Sequence, residues 1–531
     1  MKNILIITFF FCGYIYSVHG QTNASPIISE SLLNQNKEQV FLHYNSTFLI
    51  AGENLYYKFY SLNVGTGKPN NVSKLGYVEL LDKDGKMIFR HHIALENGSG
   101  NGDFLIPASI PSGAYKLIAY TRWMLNADTD NLFKGDLIII NPYLEDQSQI
   151  LITEENSSVN ENIEKRILEN KVAGTGKSFS LSTSKDIYSN RETGSVKINK
   201  LRGSANGNFS LSIQKLEEYE TPEALTASTY KDIYQNQRWT ANSKLVLPDL
   251  RGVLMSGKIV REDNGEGLGG KSLVFSIPGE SPLVRIARTA SDGSFSFNID
   301  SKNFGSRGFF QVLGDSSGDF KIILDELPQI TIENLEVSEF KVSPSIAELI
   351  RQRSIYNQVE NSYAAVKQDS VIQDEYDFPF YGSLPEVYNL DDFTRFPTMQ
   401  ETFVEIIEMS RIRKNRNGTS RIHLLNQGGQ ESEPLLIVDG LMVQDHENIV
   451  NYDARKIKSI GLQREEYYLG PEIFNGLIII ETVNGDFFTT LNQNYIKSVD
   501  IKNVLPEKIY FHPTYSEERN KYSRIPDYRV Q

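Results

Sequence analysis

The residues of this chain that could do chemistry are few, and their spacing makes most of them turns and linkers. "AGTGKS" (Ala173–Ser178) has the ending of a phosphate-binding loop. That motif needs a glycine five positions before Gly176, and Lys171 stands there, so the stretch reads as linker. His91 and His92 are neighbours on a predicted strand, where successive side chains point to opposite faces, so they cannot share a metal. His423, His446 and His512 have no companions at ligand spacing. "DKDG" (Asp82–Gly85) and "REDNGEG" (Arg261–Gly267) supply fewer oxygen ligands than a calcium loop requires, and they read as hairpin tips. "SDG" (Ser291–Gly293) is a turn with no histidine placed to form a triad with it. No catalytic, metal or cofactor-binding residue is assigned, and the chain is expected not to be an enzyme.

Its one cysteine, Cys12, sits in the leader. "MKNILIITFFFCGYIYSVHGQ" puts Lys2 before an apolar run and small residues, Ser17 and Gly20, after it. That is the layout of a signal peptide over residues 1–20, cleaved before Gln21. The run is shorter than the ~20 apolar residues that cross a bilayer. "FFFCG" lacks the small residues that precede a lipidated cysteine, and lipidation at Cys12 stays open as an alternative. Cleavage after Gly20 would leave no cysteine, and with it no disulfide, no cysteine-ligated zinc and no thiol nucleophile. A net charge of −13 argues against a nucleic-acid partner. No later stretch is apolar enough for a membrane helix, so export to the periplasm or association with the outer membrane is expected.

The elements that must position any site are mostly strands. A chain of 531 residues needs several cores, and 27 Tyr and 28 Phe against 7 Met favour β structure. Residues 39–146 hold short alternating segments, among them "NLYYKFYSL" (Asn54–Leu62) and "LGYVELLDKDGKMIF" (Leu75–Phe89). The entry "LIAGEN" (Leu49–Asn54) and the element "PSGAY" (Pro111–Tyr115) resemble a macroglobulin-like β-sandwich. Residues 175–250, with "FSLSTSKDIYSNRETGSVKI" and "GNFSLSIQKL", are expected to form a second such region. The macroglobulin family can trap targets through a cysteine–glutamine thioester, which a chain without a mature cysteine cannot form.

Residues 252–340 carry "TASDGSFSF", in which Thr289, Ser291, Asp292, Gly293, Phe295 and Phe297 resemble the typical hairpin of carboxypeptidase-regulatory-like sandwiches. That resemblance implies an accessory domain without catalysis of its own. Residues 344–397 are expected to be a helix and a linker, the helix placing Ile346, Leu349, Tyr356, Val359, Tyr363 and Val366 on one face. Residues 398–487 then present "LLIVDG", "ARKIKSIGL" and "FNGLIIIETVNG" in succession. This order resembles the plug domain of TonB-dependent outer-membrane receptors, with "EEYYLGPEIFNG" (Glu465–Gly476) longer than the family's compact version. Residues 488–531 are expected to be one strand and a tail.

The fold class expected is therefore mainly β: tandem sandwiches followed by a small α/β plug-like domain. A receptor barrel of about 22 strands needs several hundred residues beyond the plug, and the chain stops at Gln531. The expected partner is an outer-membrane β-barrel channel or transporter supplied by another chain. The alternative is that the α/β unit is a generic binding domain, because a fold does not certify its ancestral task. The whole mixture resembles envelope proteins of the Bacteroidetes type. Its expected function is to gate or plug a separate channel, or else to capture peptides, proteases or glycans through sandwich loops. Tyr467, Tyr468 and Phe474, aromatic beside glycine and proline, are the candidate partner-contact residues, with capping of the domain's own core as the competing role.

Overall fold

The computed structural model describes residues 37–150 and 179–528, apart from several interruptions, chiefly 201–206, 231–245, 300–306, 373–378 and 516–523. The leader with Cys12 and the "AGTGKS" stretch lie outside the described residues. The protein is mainly β, with tandem sandwiches followed by a small α/β module.

The first sandwich is built from β1 (Glu38–Tyr44), β2 (Phe48–Ile50), β3 (Asn54–Asn63), β4 (Leu75–Asp82), β5 (Met87–Ala94), β6 (Ser99–Leu105), β7 (Gly113–Tyr120) and β8 (Phe133–Ile140). One sheet runs β1-β3-β6 and the other β2-β8-β7-β4-β5. Alternation decides the first sheet: Val40, Leu42 and Tyr44 of β1 point inward and are buried, while the residues between them are half-buried. The "PSGAY" element is tied locally, the Tyr115 hydroxyl donating to the Pro111 carbonyl at 2.7 Å. The second sheet departs from alternation, because Leu75–Leu81 of β4 are buried on both faces. Its outer face is covered by the chain's own later segments, which bring Val253, Leu327, Ile330 and Val504 against it.

Much of the second expected macroglobulin-like region, 175–250, lies outside the described residues. Among the described residues it contributes one antiparallel hairpin, β9 (Phe179–Thr183) with β10 (Val196–Lys200), whose Leu181 and Ile198 are exposed. Residues 207–215 carry no strand, and Ser210 and Ser212 bond the His43 ring of β1 at 2.7 and 3.3 Å. Short polar residues at alternate positions let this segment lie on the first sandwich and leave it no core of its own.

The next sandwich has β11 (Val253–Arg261), β12 (Ser272–Ile277), β13 (Leu283–Arg288), β14 (Ser294–Ile299), β15 (Arg307–Val312) and β16 (Phe320–Leu324). Phe275, Phe295, Phe297 and Phe310 meet at its centre. The expected "TASDGSFSF" hairpin is a corner instead. β13 belongs to one sheet and β14 to the other, so the turn at Asp292-Gly293 carries the chain across the core. Gly293 has φ +81°, and a Cβ there would lie 2.4 Å from the Ile259 carbonyl oxygen, which explains the glycine.

Helix α1 (Pro344–Ser362) keeps only part of its expected apolar face, Ile346 and Leu349, against the protein. The face it buries carries Ile350, Arg353, Ser354 and Asn357, while Tyr356, Tyr363 and Val366 are exposed and Ile346, Leu349 and Val359 are half-buried. Hydrogen bonding acts beside apolar packing here, because the helix also docks on backbone carbonyls of the turn after β2: Asn357 donates to Ala51 and Asn361 to Gly52, both at 3.0 Å. The short β17 (Ser370–Val371) comes next.

The α/β module holds β18 (Glu386–Asn389), α2 (Met399–Glu405), β19 (Ser410–Lys414), β20 (Ser420–Leu425), β21 (Glu431–Ser432), β22 (Leu435–Val438), β23 (Leu441–Met442), α3 (Glu447–Val450), β24 (Ile457–Gln463), β25 (Tyr467–Leu469), β26 (Glu472–Phe474) and β27 (Leu477–Thr482). Its main sheet runs β18-β24-β27-β22-β23, with β22 and β27 parallel. The final residues do more than trail: β28 (Lys497–Asp500) adds to the second sandwich beside β15, and β29 (Lys508–Ile509) pairs with β17.

Candidate partner-contact site

The "LLIVDG" and "GLIIIET" runs explain how the α/β module is held. Leu436 and Val438 of β22, with Ile478 and Ile480 of β27, face the module's own core. Leu435, Ile437, Leu477 and Ile479, from the same strands, face the second sandwich and share a cluster with Val274, Val284 and Ile286. Both faces of the two strands are thus buried, the condition under which continuous apolar runs are needed. Asp439 has φ +49°, and its carboxylate accepts from the Thr482 and Phe487 amides at 2.7 and 3.0 Å. Gly440 follows at φ +83°, where a Cβ would come within 2.3 Å of Pro282 of the sandwich. Gln311 donates to the Met442 carbonyl at 2.7 Å and completes the joint.

The candidate aromatics lie on the β25–β26 ribbon at the edge of this joint. Tyr467 pairs with Phe474, Tyr468 with Ile473 and Leu469 with Glu472. Successive side chains alternate, so the three candidates separate. Tyr467 and Phe474 are half-buried and pack on the shared apolar cluster; burial pushes the Tyr467 hydroxyl pKa up. Tyr468 faces outward at 65% exposure beside Ile473 at 59%, and its hydroxyl donates to Glu466 at 2.9 Å. The ribbon's turn abuts β13, since a Cβ on Gly470 would lie 2.5 Å from the Ile286 carbonyl oxygen. Glu472 fixes the ribbon further by accepting from Ser272 at 2.5 Å. Two of the three candidates therefore serve the internal joint, and the outward pair is Tyr468 with Ile473. Sequence reasoning missed Ile473; folding "YYLGPEIF" about Gly470-Pro471 places it opposite Tyr468.

Sequence reasoning also missed a buried polar layer on the outer face of the first sandwich. Glu79 accepts from Arg90 at 2.6 Å and from the Tyr120 hydroxyl at 2.5 Å. Tyr120 stacks on Tyr77, whose hydroxyl donates to Asp249 at 2.7 Å. Asp249 arrives from the segment before β11, and Arg122 donates to the Leu254 carbonyl at 2.9 Å. Glu38, 1% exposed, accepts from Ser73 and Thr121. Burial raises the pKa of both Glu38 and Asp249. Apart from the Arg122 Nε, these groups satisfy one another, as buried polar groups usually do. Through Asp249 and Leu254 they also tie the first sandwich to the start of β11.

The two adjacent histidines part as strand geometry requires. His91 meets the Tyr57 hydroxyl at 2.8 Å inside the sandwich, and His92 packs edge-on against Tyr77 on the other face. Burial lowers both pKa values to about 4.

A cleft of about 750 Å³ lies between the β5–β6 end of the first sandwich, the segment at Leu250 and Arg251, and the returning chain at Leu505 and Glu507. Lys58, Lys74, Glu96 and Asn101 contribute to its polar lining.

No family model and no curated protein matches the chain. Among solved structures it is similar to native Escherichia coli alpha-2-macroglobulin, at 11% identity and a TM-score of 0.17, over 89% of this chain and 21% of that one. Salmonella alpha-2-macroglobulin reacted with methylamine gives 10% identity and a TM-score of 0.17 over 89% and 21%. A Listeria innocua beta-glucosidase with gluconolactone gives 13% and 0.14 over 20% and 16%. The chain spans about a fifth of the macroglobulins' length. Likenesses at these TM-scores carry no argument, and the fold rests on the sheets described above.

Proposed function

We propose that this is a non-enzymatic envelope protein, exported to the periplasm or held at the outer membrane, whose α/β module gates or plugs the mouth of a separate outer-membrane β-barrel. The observation that supports this reading is the apolar joint between the module and the second sandwich. It leaves the Tyr468–Ile473 pair outward and holds one face of the module's main sheet against the sandwich. A plug enclosed by its own barrel is surrounded on all sides, and this module cannot be while the joint holds. Action at the mouth of a barrel, with the sandwiches as a rod behind it, is compatible with the geometry. The plug of the type 9 secretion translocon has this kind of role, and a nutrient importer is an equal candidate for the channel. No described helix is long and apolar enough to cross a membrane.

The polar cleft of about 750 Å³ favours the second reading, a protein that captures peptides or glycans without any channel. A pull-down of tagged protein from membranes in mild detergent, read by mass spectrometry, separates the two. Recovery of a large barrel protein in near-equal amount, lost when residues 398–487 are deleted or when Tyr468 and Ile473 are both changed to Asp, supports gating. A monomer recovered without any barrel protein overturns it.

A further inference from the structure

Helix α1, the turn after β2 and the chain near Asp369 and Phe511 surround a cavity of about 240 Å³ on the first sandwich. Most of its charges are paired within it. Arg353 reaches both oxygens of Glu53 at 2.8 and 2.9 Å, and Lys367 bonds Glu360. The lining also keeps hydrogen-bonding groups open. Among the described residues, the Asn54 side-chain amide, the Asn361 side-chain oxygen and the Tyr528 hydroxyl have no protein partner. One oxygen of Asp369 is open in the same way, while the other accepts from the Phe511 amide at 2.8 Å. Tyr56, Phe511 and Tyr528 add aromatic rings to the lining, each residue more than a third exposed. Each is held by a neighbour: Tyr56 by an edge contact with Tyr510 at 5.2 Å, Tyr528 by stacking on Tyr356 at 4.7 Å, and Phe511 through its amide.

We propose that this cavity binds a neutral saccharide, one sugar ring at a time. A sugar carries hydroxyls around its rim and apolar C–H bonds on its faces. It is matched by amide and carboxylate groups set beside exposed aromatic rings, as here. A charged ligand is matched less well. Engaging one member of the Arg353–Glu53 or Lys367–Glu360 pair would take it from its counter-charge. The volume lies below the ~300–1,000 Å³ of sites for drug-sized ligands, so a longer glycan would leave its other rings outside. Aromatic rings already fixed by neighbours lose little freedom when the ligand arrives. The inference does not rest on the gating reading, because the cavity lies at helix α1 and not on the α/β module. It also goes beyond the capture reading, since this cavity shares no lining residue with the polar cleft.

Ligand-observed NMR and calorimetry on the full chain test it. The probes are the methyl glycosides of glucose, galactose, mannose and N-acetylglucosamine, with tetramethylammonium as the charged comparison. At least one glycoside is expected to bind, and more tightly than tetramethylammonium. Tyr528→Ser and Asn54→Ala are each expected to weaken that binding at least tenfold with the unfolding midpoint little changed. Arg251→Ala, in the polar cleft, is expected to keep the natural affinity. Absence of binding by all four glycosides, or tighter binding of tetramethylammonium, overturns the proposal. So does a loss of binding with Arg251→Ala but not with Tyr528→Ser, an outcome that places the sugar in the cleft and leaves the capture reading standing.

Discussion

Two of the joints that hold this molecule differ in one respect: the first is chiefly apolar, and the second sets a buried ion pair beside its apolar contacts. The α/β module meets the second sandwich through buried Leu435, Ile437, Leu477 and Ile479 on one side and Val274, Val284 and Ile286 on the other. Helix α1 meets the first sandwich through Ile350, Ile346 and Leu349, which pack with Phe48, Ile50, Ile138 and Ile140, and through an ion pair, Arg353 to Glu53 at 2.8 and 2.9 Å, with each partner about nine-tenths buried. Arg353 also lies over the Phe48 ring at 5.4 Å. The apolar joint tolerates small displacements and gains from area alone. The ion pair of the second joint gains little net free energy, because desolvating both charges offsets their attraction, but it accepts only one register. The first therefore fixes two units into one body, and the second selects where a helix lies.

Breaking the ion pair from one side should have the largest effect. Arg353→Met leaves Glu53 buried without its partner, and a loss of about 3–5 kcal/mol in chemical denaturation is expected. The double variant Arg353→Met with Glu53→Gln should recover most of that loss. Failure of the double variant to recover would mean that Arg353 contributes chiefly through Phe48 and the Phe48 carbonyl, to which it donates at 3.3 Å. In the apolar joint Ile437→Ala should cost about 2–5 kcal/mol by leaving a cavity. No change opposite should restore it unless it refills volume. Ile286→Phe together with Ile437→Ala is the check, expected to do better than Ile437→Ala alone.

The same contrast explains what could be read in the sequence. The strands of the first and second sandwiches were legible because alternation and Asp-Gly turns are local signals; Gly85 at φ +77° closes the β4–β5 hairpin where "DKDG" predicts it. The apolar runs of β22 and β27 were legible as strands, but a run buried on both faces does not say what covers the second face. Helix α1 was legible as a helix, and its docking face only in part. Arg353, Asn357 and Asn361 find their partners in Glu53, Ala51 and Gly52, at least 300 residues earlier in the chain. The "TASDGSFSF" turn was found, yet which sheet each flanking strand joins is a property of the whole sandwich. Tyr467, Tyr468 and Phe474 were legible only as aromatics beside glycine and proline, and the alternation about Gly470-Pro471 is what separates inward from outward.

Acid should loosen both bodies through buried histidines. His92 in the first sandwich and His446 in the α/β module have pKa values lowered by burial from 6.5 to about 4 and about 3. The folded state prefers the neutral rings, so their contribution is complete above pH 6.5 and is lost as pH falls towards those lower values. Glu38 and Asp249 act the other way: with raised pKa values, they favour the fold most when protonated, below their unfolded values of 4.5 and 3.8, and that contribution is lost as pH rises through the folded values. The melting temperature is therefore expected to fall between pH 7 and pH 5, where the histidines dominate. His446→Asn should flatten that fall in the α/β module's own exchange and leave the first sandwich's pH response unchanged. An equal flattening in both bodies would show that the two joints transmit more than they separate.

The smallest effect on stability should come from the outward pair of the ribbon. Tyr468 and Ile473 are mostly exposed, and surface changes away from packed sites usually stay within about 0.5 kcal/mol. Tyr468→Ser with Ile473→Ser should thus leave denaturation nearly unchanged. Tyr467→Ser or Phe474→Ser, one strand position away, should each cost more, because those rings pack on the apolar joint. If the ribbon contacts a barrel, the outward double variant loses that partner in a membrane pull-down while the protein stays folded. The inward variants lose stability first and the partner only as the joint loosens. A partner retained by the outward variant would move the contact off the ribbon, since the inward rings already serve the sandwich.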